Sequence, residues 1–257
     1  MKKILGLISI FLLMANSVFA ADMRFIQIEG ALYNQNNSAS FDKMIQKINR
    51  EKNVEFVVFT GNNISKPNKN ELKNFLSAAK KLKCPYYVII GQKDVNKQKD
   101  LGKSDYLDMV RKKNWAHRMI KKPNYVFTKK DVIFVVADGS KEFIPSSVGY
   151  YKEDVILWLD EVLDEYKDKN VVILQHYPIV PPVAKETHYT YKADDYIKLL
   201  TEHKNVKAVV AGHFGVNKEE SVNGILHIST KNAPAYRIID ILDYETQNPT
   251  FWSTIKE

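Results

Sequence analysis

The sequence of 257 residues contains a single cysteine, Cys84, so no intrachain disulfide can form and the fold depends on its hydrophobic core. It also lacks the G-x-x-x-x-G-K-[ST], G-x-G-x-x-G, H-E-x-x-H and G-x-S-x-G patterns. These absences argue against a P-loop nucleotidase, a dinucleotide-binding enzyme, a zincin protease and an α/β-hydrolase. Beyond the first 20 residues, no apolar run is long enough to predict a transmembrane helix.

The first 20 residues have the three parts of a secretory signal peptide. Two lysines form a positive start, residues 4–14 are apolar, and the stretch ends in Ser-Val-Phe-Ala. The apolar part is too short to span a bilayer, so we expect cleavage after Ala20. The sequence then predicts a mature chain of one domain, residues 21–257, secreted to the periplasm or to the cell exterior.

The formal net charge of +8 falls to +6 when the two lysines of the signal peptide are removed. Residues 93–122 contain ten Lys or Arg and four Asp, so this segment alone matches the net charge of the mature chain. Such a basic segment can meet an anionic cell-envelope polymer or a protein partner. The interspersed acids and the lack of a nucleic-acid-binding motif favour a solvated face over nucleic-acid binding.

Apolar periodicity predicts alternating strands and helices in the first third of the chain. Short apolar runs predict strands over 24–28, 54–60 and 86–91. Between them, residues 41–52 and 70–82 place apolar side chains on one helical face. This β-α-β-α-β order predicts a parallel core with right-handed crossovers.

The rest of the chain is predicted to add helices and antiparallel strands. We expect a helix over 105–120, a hairpin over 124–138 turning at Lys129-Lys130, a helix over 152–166, a strand over 171–175, a helix over 194–203, and strands over 206–211, 224–230, 235–244 and 250–255. The sequence therefore predicts an α/β fold in which two sheets pack face to face under helices.

Several predicted strands end in glycine or histidine followed by polar residues. The stretches are IEGAL at 28–32, FTGNN at 59–63, IIGQKD at 89–94, LQHYP at 174–178 and VVAGHFG at 209–215. In α/β proteins, ligands bind at the carboxyl ends of strands, where loops from separate strands converge. We therefore expect these five strand ends to line one cleft.

In order and spacing, these strand ends resemble the calcineurin-like metallophosphoesterases, whose five motifs are D-x-H, G-D, G-N-H-[DE], H and G-H-x-H. The resemblance covers essentially the whole mature chain. It implies a metallophosphoesterase-like four-layer α/β/β/α sandwich with two mixed β-sheets. It also implies metal-dependent hydrolysis of phosphoesters in members that keep the motifs, and it gives Asp138 the position of a structural acid.

The chain departs from the family at the metal ligands. One family metal takes ligands at the positions occupied here by Gly30, Leu32, Asn62 and Gly215. Three of these residues have no ligand atom in the side chain, and a neutral amide does not bridge two cations as a carboxylate does. The resemblance therefore implies that a dinuclear centre is not expected in this chain.

The second family metal site keeps a donor at every position but loses its carboxylate. The positions are Asn62, Gln92, His176 and His213, a set that can hold one zinc or manganese ion weakly. Lys93 replaces the presumed proton donor of the family, and a lysine side chain ordinarily carries a positive charge at neutral pH. Lys93, His176 and His213 are therefore candidates to bind an anionic ligand. The two histidines can equally be hydrogen-bonded residues of a collapsed cleft.

Other polar residues near the strand ends receive simpler interpretations. We interpret Glu29 as a solvated strand-end charge rather than a partner of Lys93, and Asp94 as a loop or helix cap. The remaining histidines are interpreted as surface or core residues outside the cleft; they are His117, His188, His203 and His227.

Three functional hypotheses follow from these observations. The first is a catalytically degenerate, non-enzymatic member of the family that binds a phosphorylated or other anionic ligand, or a protein partner. The second is an active phosphoesterase that hydrolyses phosphomonoesters or diesters with a single metal ion. The third is an adaptor that meets the cell envelope through the basic segment 93–122. The sequence favours the first.

Overall fold

The computed structural model describes residues 23–257. The predicted signal peptide and its cleavage position lie outside the described residues. Between residues 23 and 257, no helix has both the length and the apolar character needed to cross a membrane.

Helices and strands alternate through most of the described chain. The strands are β1 (Met23–Ile28), β2 (Val54–Phe59), β3 (Tyr86–Val88), β4 (Tyr125–Lys129), β5 (Val132–Ala137), β6 (Asn170–Gln175), β7 (Val206–Ala211), β8 (Lys218–Val222), β9 (Ile225–Ser229), β10 (Tyr236–Leu242) and β11 (Thr250–Lys256). The α-helices are α1 (Ser38–Ile48), α2 (Lys69–Ala79), α3 (Lys103–Lys113), α4 (Glu153–Glu165) and α5 (Ala193–Glu202).

The strands form two mixed sheets. The first sheet has the order β11-β10-β1-β2-β3, with β1, β2 and β3 parallel and β10 antiparallel to both neighbours. The second has the order β4-β5-β6-β7-β9-β8, with a parallel centre and antiparallel edge strands. The predicted pair of mixed sheets is confirmed.

Three hydrophobic clusters place these sheets in four layers. The cluster between the sheets contains Phe25, Phe56 and Phe134, whose rings pack against one another. Because side chains alternate along a strand, Ile133 and Val135 of β5 face the other way, toward α4 and α5. A third cluster joins the outer face of the first sheet to α1, α2 and α3. The predicted α/β/β/α sandwich is therefore confirmed.

The predicted helix over 105–120 is wrong at its carboxyl end. Helix α3 stops at Lys113 because Asn114 adopts an extended backbone, with φ −120° and ψ 112°. The Asn114 side chain accepts a hydrogen bond from the Ala116 N–H at 3.0 Å and donates to the Tyr86 carbonyl at 2.8 Å. These contacts satisfy local backbone groups and start a short 3₁₀ turn over Trp115–His117.

Two smaller expectations also differ from the structure. The hairpin loop consists of Lys130 and Asp131, one residue later than predicted, with Lys130 at φ +50°. Strand β8 was not predicted, because its sequence Lys-Glu-Glu-Ser-Val has no apolar alternation. It lies at the edge of the second sheet, where charged residues are tolerated.

Candidate functional site

The structure brings the five strand ends together between the two sheets. After β1 and β2, the N–H of Leu32 donates to the carbonyl of Asn62 at 2.8 Å. After β6 and β7, the N–H of Gly212 donates to the carbonyl of His176 at 3.0 Å. The His176 ring joins the two pairs, because its Nδ1 lies 2.7 Å from the carbonyl oxygen of Thr60 in the first sheet.

His176 is fully buried and hydrogen-bonded at both ring nitrogens. Burial lowers its pKa to about 4, so the imidazole is neutral at neutral pH and carries one N–H. The Thr60 carbonyl can only accept, so Nδ1–H donates to it and Nε2 keeps the lone pair. Nε2 lies 2.5 Å from the atom placed as Oε1 of Gln92. Two acceptors do not bond, so we assign the NH₂ group of Gln92 to this position, where it donates to the Nε2 lone pair. The nitrogen available for a metal is therefore occupied by Gln92.

His213 follows β7 with a positive backbone φ of +79°. Its Nε2 donates to the Ser147 carbonyl at 2.8 Å, and its buried Nδ1 has no hydrogen-bond partner among residues 23–257. Burial, with smaller effects of the neighbouring histidines, lowers its pKa to about 2. The ring centroid lies 5.0 Å from that of His176 and 4.7 Å from that of His188.

His188 was interpreted as a residue outside the cleft, and the structure places it against His213 instead. The two rings stack at 28°. His188 lies in the long loop after β6, so neither motif spacing nor strand-end position marks it in the sequence. The Ser147 hydroxyl donates to the Thr187 carbonyl at 2.6 Å, so the loops after β5 and β6 are joined over the cleft.

Asn62 and Lys93 complete the predicted set. Asn62 adopts φ +53°, and its Oδ1 accepts from the Lys93 N–H at 3.0 Å. A Cβ atom on Gly91 would lie 2.6 Å from this Oδ1 and 3.0 Å from Cε1 of His176, so the close approach requires glycine. Lys93 is exposed and forms no ion pair with any described residue. The role of Asn62, Gln92, His176 and His213 as a single metal site stays a prediction, as does ligand binding by Lys93.

The space between the lost ligand positions Gly30 and Gly215 contains the side chain of Asn232. A Cβ atom on Gly215 would lie 2.6 Å from Asn232 Nδ2, and one on Gly30 would overlap Asn232 Oδ1. Asn232 is itself exposed to solvent. A neutral amide therefore fills the space between two positions that carry metal ligands in the family.

The interpretation of Glu29 as a solvated charge is wrong. Its side chain is buried, with 1% of its surface exposed, and no ion pair links it to Lys93 in the described chain. One carboxyl oxygen accepts from the Gly215 N–H at 2.9 Å, and the other has no partner among the described residues. Burial raises the pKa of Glu29 to about 8, so the carboxyl is largely protonated at neutral pH. Glu29 is therefore held by the backbone at one of the lost ligand positions, Gly215.

The interpretation of Asp94 as a loop cap is confirmed. Its buried carboxylate accepts from the N–H groups of Gly91 at 2.7 Å and Ile64 at 3.0 Å. Burial raises its pKa to about 7, against the opposing effect of these backbone hydrogen bonds. Asp94 thus holds the loops after β2 and β3 in place.

Asp138 has the structural role that the family resemblance implies. It is buried after β5, accepts from the Ser140 N–H at 3.0 Å, and forms an ion pair with Lys103 at the start of α3. Within the basic segment 93–122, Arg111 also pairs with Asp108, whereas several lysines are exposed without such a partner in the described chain. A cell-envelope or protein partner for this segment stays a prediction.

The residues present do not fit a dinuclear metal centre. Side-chain donors are missing at Gly30, Leu32 and Gly215, and the bridging position is a neutral amide, Asn62. Within residues 23–257, no group of three or more His, Cys, Asp or Glu side chains is arranged to hold a metal ion. A single ion would require His176 Nε2 and the Gln92 amide to separate.

Comparison with known proteins gives consistent matches. The family model for calcineurin-like phosphoesterases matches residues 19–217. A probable glycerophosphodiester phosphodiesterase, GpdQ, of Arcobacter nitrofigilis is 25% identical over 192 residues, which cover 73% of this chain and 63% of that relative. The present chain thus spans less than two thirds of that relative's length.

Two solved structures show the same fold. A dimetal phosphatase from Danio rerio superposes with a TM-score of 0.68 at 16% identity, over 87% of this chain and 94% of its own. GAP50 of Plasmodium, described as the anchor in the inner membrane complex, superposes with a TM-score of 0.60 at 15% identity. The match covers 92% of this chain and 84% of the GAP50 chain. At these identities the likeness concerns the fold alone.

The hydrogen bond between His176 and Gln92 can be tested with the substitution Gln92→Glu. In the wild type we expect the His176 proton on Nδ1 and no titration near pH 6.5, because burial disfavours the imidazolium. A carboxylate facing Nε2 favours the imidazolium and should raise the pKa of His176 by about 1–3 units. Nitrogen-15 NMR of the imidazole ring shows which nitrogen carries the proton and measures the pKa of His176. Titration of wild-type His176 near 6.5, or an unchanged pKa in Gln92→Glu, would contradict the assignment.

Glu29 should make the protein less stable as the pH rises. The folded state keeps the Glu29 proton up to about pH 8, whereas an unperturbed glutamate loses it near 4.5. The stability contributed by the protonated carboxyl is fully present below 4.5 and is lost as pH rises toward 8. The isosteric substitution Glu29→Gln removes this dependence and keeps an acceptor for the Gly215 N–H.

Urea unfolding at several pH values measures this effect. The free energy of unfolding of Glu29→Gln, taken relative to that of the wild type, should rise by roughly 1 kcal/mol or more from acidic to mildly alkaline pH. Asp94 titrates in both proteins, so its contribution cancels in the difference. A free-energy difference that stays constant with pH would show that Glu29 is ionised in the folded state.

Proposed function

Because this chain belongs to the calcineurin-like phosphoesterase family, we propose that it is a non-hydrolytic member of it, exported from the cytoplasm. It binds a phosphorylated or other anionic ligand, or a protein partner, where active members hydrolyse a phosphoester. Lys93 supplies a fixed positive charge at the mouth of the cleft, and His213 and the fully buried His176 lie beneath it.

The contact between His176 and Gln92 carries this proposal. Two ligands of one tetrahedral zinc ion, with bonds of about 2.1 Å, stand about 3.4 Å apart. His176 Nε2 and the Gln92 amide atom placed as Oε1 lie 2.5 Å apart, which is closer than that. Two positions that share a metal ion in active relatives therefore bond directly to each other here.

The electrostatics of the cleft support the same proposal. Two-metal hydrolysis places two cations about 3.5–4 Å apart, which requires anionic ligands to offset their charge. At the family ligand positions the cleft offers amides and imidazoles and no carboxylate, and the nearby Glu29 is buried against the Gly215 N–H. An exposed lysine beside them favours an anion over a cation.

The similar proteins are described with both catalytic and non-catalytic roles. The curated relative is named a probable phosphodiesterase, and the Danio rerio structure is named a dimetal phosphatase. The Plasmodium structure is named as an anchor. The fold therefore supports binding roles, and the site residues favour such a role for this chain.

A single-metal phosphoesterase is the second candidate. It is favoured by one observation, the proximity of Asn62, Gln92, His176 and His213 around Gly91 and Gly61. In this candidate the Gln92 side chain rotates, and the four donors hold one divalent ion that polarises the phosphoester, while Lys93 binds the phosphate.

Metal content and hydrolysis separate the two candidates. We expect purified mature protein to contain less than one divalent ion per chain. We also expect it to show no turnover of a phosphomonoester, a generic phosphodiester or a glycerophosphodiester with added Mn²⁺ or Zn²⁺. Elemental analysis and product assays measure these quantities.

His176→Ala and His203→Ala form the matched pair for this test. His203 lies outside the cleft, where its Nε2 contacts Asp160 on α4 at 2.7 Å. Any background hydrolysis should be the same in both variants. Turnover that is lost in His176→Ala and kept in His203→Ala would establish the single-metal enzyme and overturn the non-hydrolytic proposal.

Export is tested by the mass of the protein in its own cells. The first 20 residues predict a product that begins at Ala21 and is found in the periplasmic or extracellular fraction. Intact-mass spectrometry of that fraction shows at which residue the mature chain begins. A cytoplasmic protein that retains residues 1–20 would contradict export and would leave the proposal on the cleft unaffected.

A further inference from the structure

The chain that follows α3 covers the outer edge of β3. The Asn114 amide donates to the Tyr86 carbonyl at 2.8 Å, and the Val88 N–H donates to Nε2 of His117 at 3.1 Å. Asn114 and His117 are 2% and 0% exposed. The two side chains therefore satisfy backbone groups of an edge strand and anchor residues 114–122, which we call the edge segment, to the first sheet.

Side chains of the edge segment point inward with a period of three. The N–H of His117 donates to the Asn114 carbonyl at 3.1 Å, and the N–H of Ile120 donates to the His117 carbonyl at 2.9 Å. In such turns, side chains three residues apart lie above one another. Asn114, His117 and Ile120 thus form an inward column, and Ile120 packs against the cluster between the sheets. The anchored backbone leaves Trp115 and Met119 pointing outward, 69% and 81% exposed.

The edge segment and the last turn of α3 are strongly basic. Between Asp108 and Asp131 the chain contains no acidic residue. Five cations of this stretch are exposed and have no ion pair within residues 23–257; they are Lys112, Lys113, Arg118, Lys121 and Lys122. Two large apolar side chains are thus flanked by positive charge that the protein does not neutralise. This surface favours a negatively charged partner that also accepts apolar groups.

The apolar surface continues onto the loop after β5. Phe143 and Ile144, which are 55% and 75% exposed, line a cavity of about 530 Å³ together with Pro123 and Lys122, the last residue of the edge segment. The cavity lining contains four lysines and three acids, so it adds apolar surface with little net charge. Four of the nine large apolar side chains that are exposed in the described chain therefore lie in or beside the edge segment. Such a cluster marks an interaction surface, whereas single exposed apolar side chains are ordinary.

We propose that the edge segment, with Phe143 and Ile144, docks on the surface of an anionic lipid bilayer. Trp115 and Met119 enter the headgroup layer, and the five cations meet the lipid phosphates. A soluble polyanion offers the cations the same charge but gives Met119 and Ile144 no apolar medium, so the composition of this surface favours a bilayer. The inference narrows the cell-envelope hypothesis for the basic segment to a lipid surface. It is independent of the function proposed for the histidine cleft.

Co-sedimentation with lipid vesicles tests the proposal. We expect the mature protein to bind vesicles that mix phosphatidylglycerol with phosphatidylcholine and not to bind vesicles of phosphatidylcholine alone. Added sodium chloride should weaken the binding, because screening reduces the attraction between the cations and the anionic headgroups. Equal binding to both kinds of vesicle, or no binding to the anionic ones, would overturn the proposal.

Trp115→Ala and Trp252→Ala are the matched variants for the apolar contact. Trp252 is 65% exposed and lies on β11, at the opposite edge of the first sheet from β3. Both substitutions remove an exposed indole, so neither should alter the fold. Trp115→Ala should lower the association constant for anionic vesicles about fivefold or more, because less apolar surface leaves water, and Trp252→Ala should leave it unchanged. Wild-type affinity in Trp115→Ala, or equal losses in both variants, would contradict the proposed surface.

A second matched pair tests the charge. Lys112→Gln with Lys121→Gln removes two cations of the proposed surface, whereas Lys43→Gln with Lys198→Gln removes two exposed lysines of α1 and α5. The first double variant should lower the association constant about tenfold or more, and the second should change it much less. Equal losses would show attraction to the basic molecule as a whole and would overturn the proposal. Binding to single-stranded DNA that matches binding to anionic vesicles and is unaffected by Trp115→Ala would also overturn it, in favour of a soluble polyanion.

Discussion

A buried glutamine joins the two sheets directly beneath the strand ends. Gln27, on β1, donates from its amide to the Ala211 carbonyl at 2.7 Å and accepts from the Thr230 hydroxyl at 2.6 Å. Both partners belong to the second sheet or its continuation. Because buried amides must be paired, this contact fixes the distance and register between the sheets. The geometry of the cleft above it depends on that spacing.

Burial shifts the titratable groups around the cleft toward their neutral forms. Glu29 and Asp94 are buried with raised pKa values, and His176 and His213 are buried with lowered ones. Each shift has the same main cause, the cost of placing a charge in a poorly solvated interior. The loss of the metal ligands is therefore accompanied by a site in which most remaining titratable groups are neutral near pH 7.

The sequence predicted the fold and the convergence of the strand ends because both depend on strong local patterns. The period of two along β5, for example, is enough to assign Phe134 and Ile133 to opposite faces of the sheet. Strand β8 and the end of α3 were missed because they depend on edge position and on the side chain of Asn114. Whether a charged segment forms an edge strand, and where a helix ends, depends on tertiary contacts rather than on the periodicity of the sequence.

The contents of the cleft were harder to predict from the sequence. His188 and Asn232 lie in loops whose paths no local pattern specifies, although His188 contacts His213 and Asn232 lies between Gly30 and Gly215. The burial of Glu29 could not be predicted either, since a glutamate after a strand is usually solvated. Motif positions indicated which ligands are missing, whereas the residues that now surround those positions come together only through tertiary folding.

The joined loops above His176 have a consequence for kinetics. Ser147 bonds to Thr187 and to the His213 ring, and His188 stacks on that ring, while His176 itself has no exposed surface. A ligand that touches His176 must therefore wait for these contacts to break. At high ligand concentration its observed association rate would level off at the opening rate of the loops. Its apparent affinity would be reduced by the small fraction of molecules that are open at any moment.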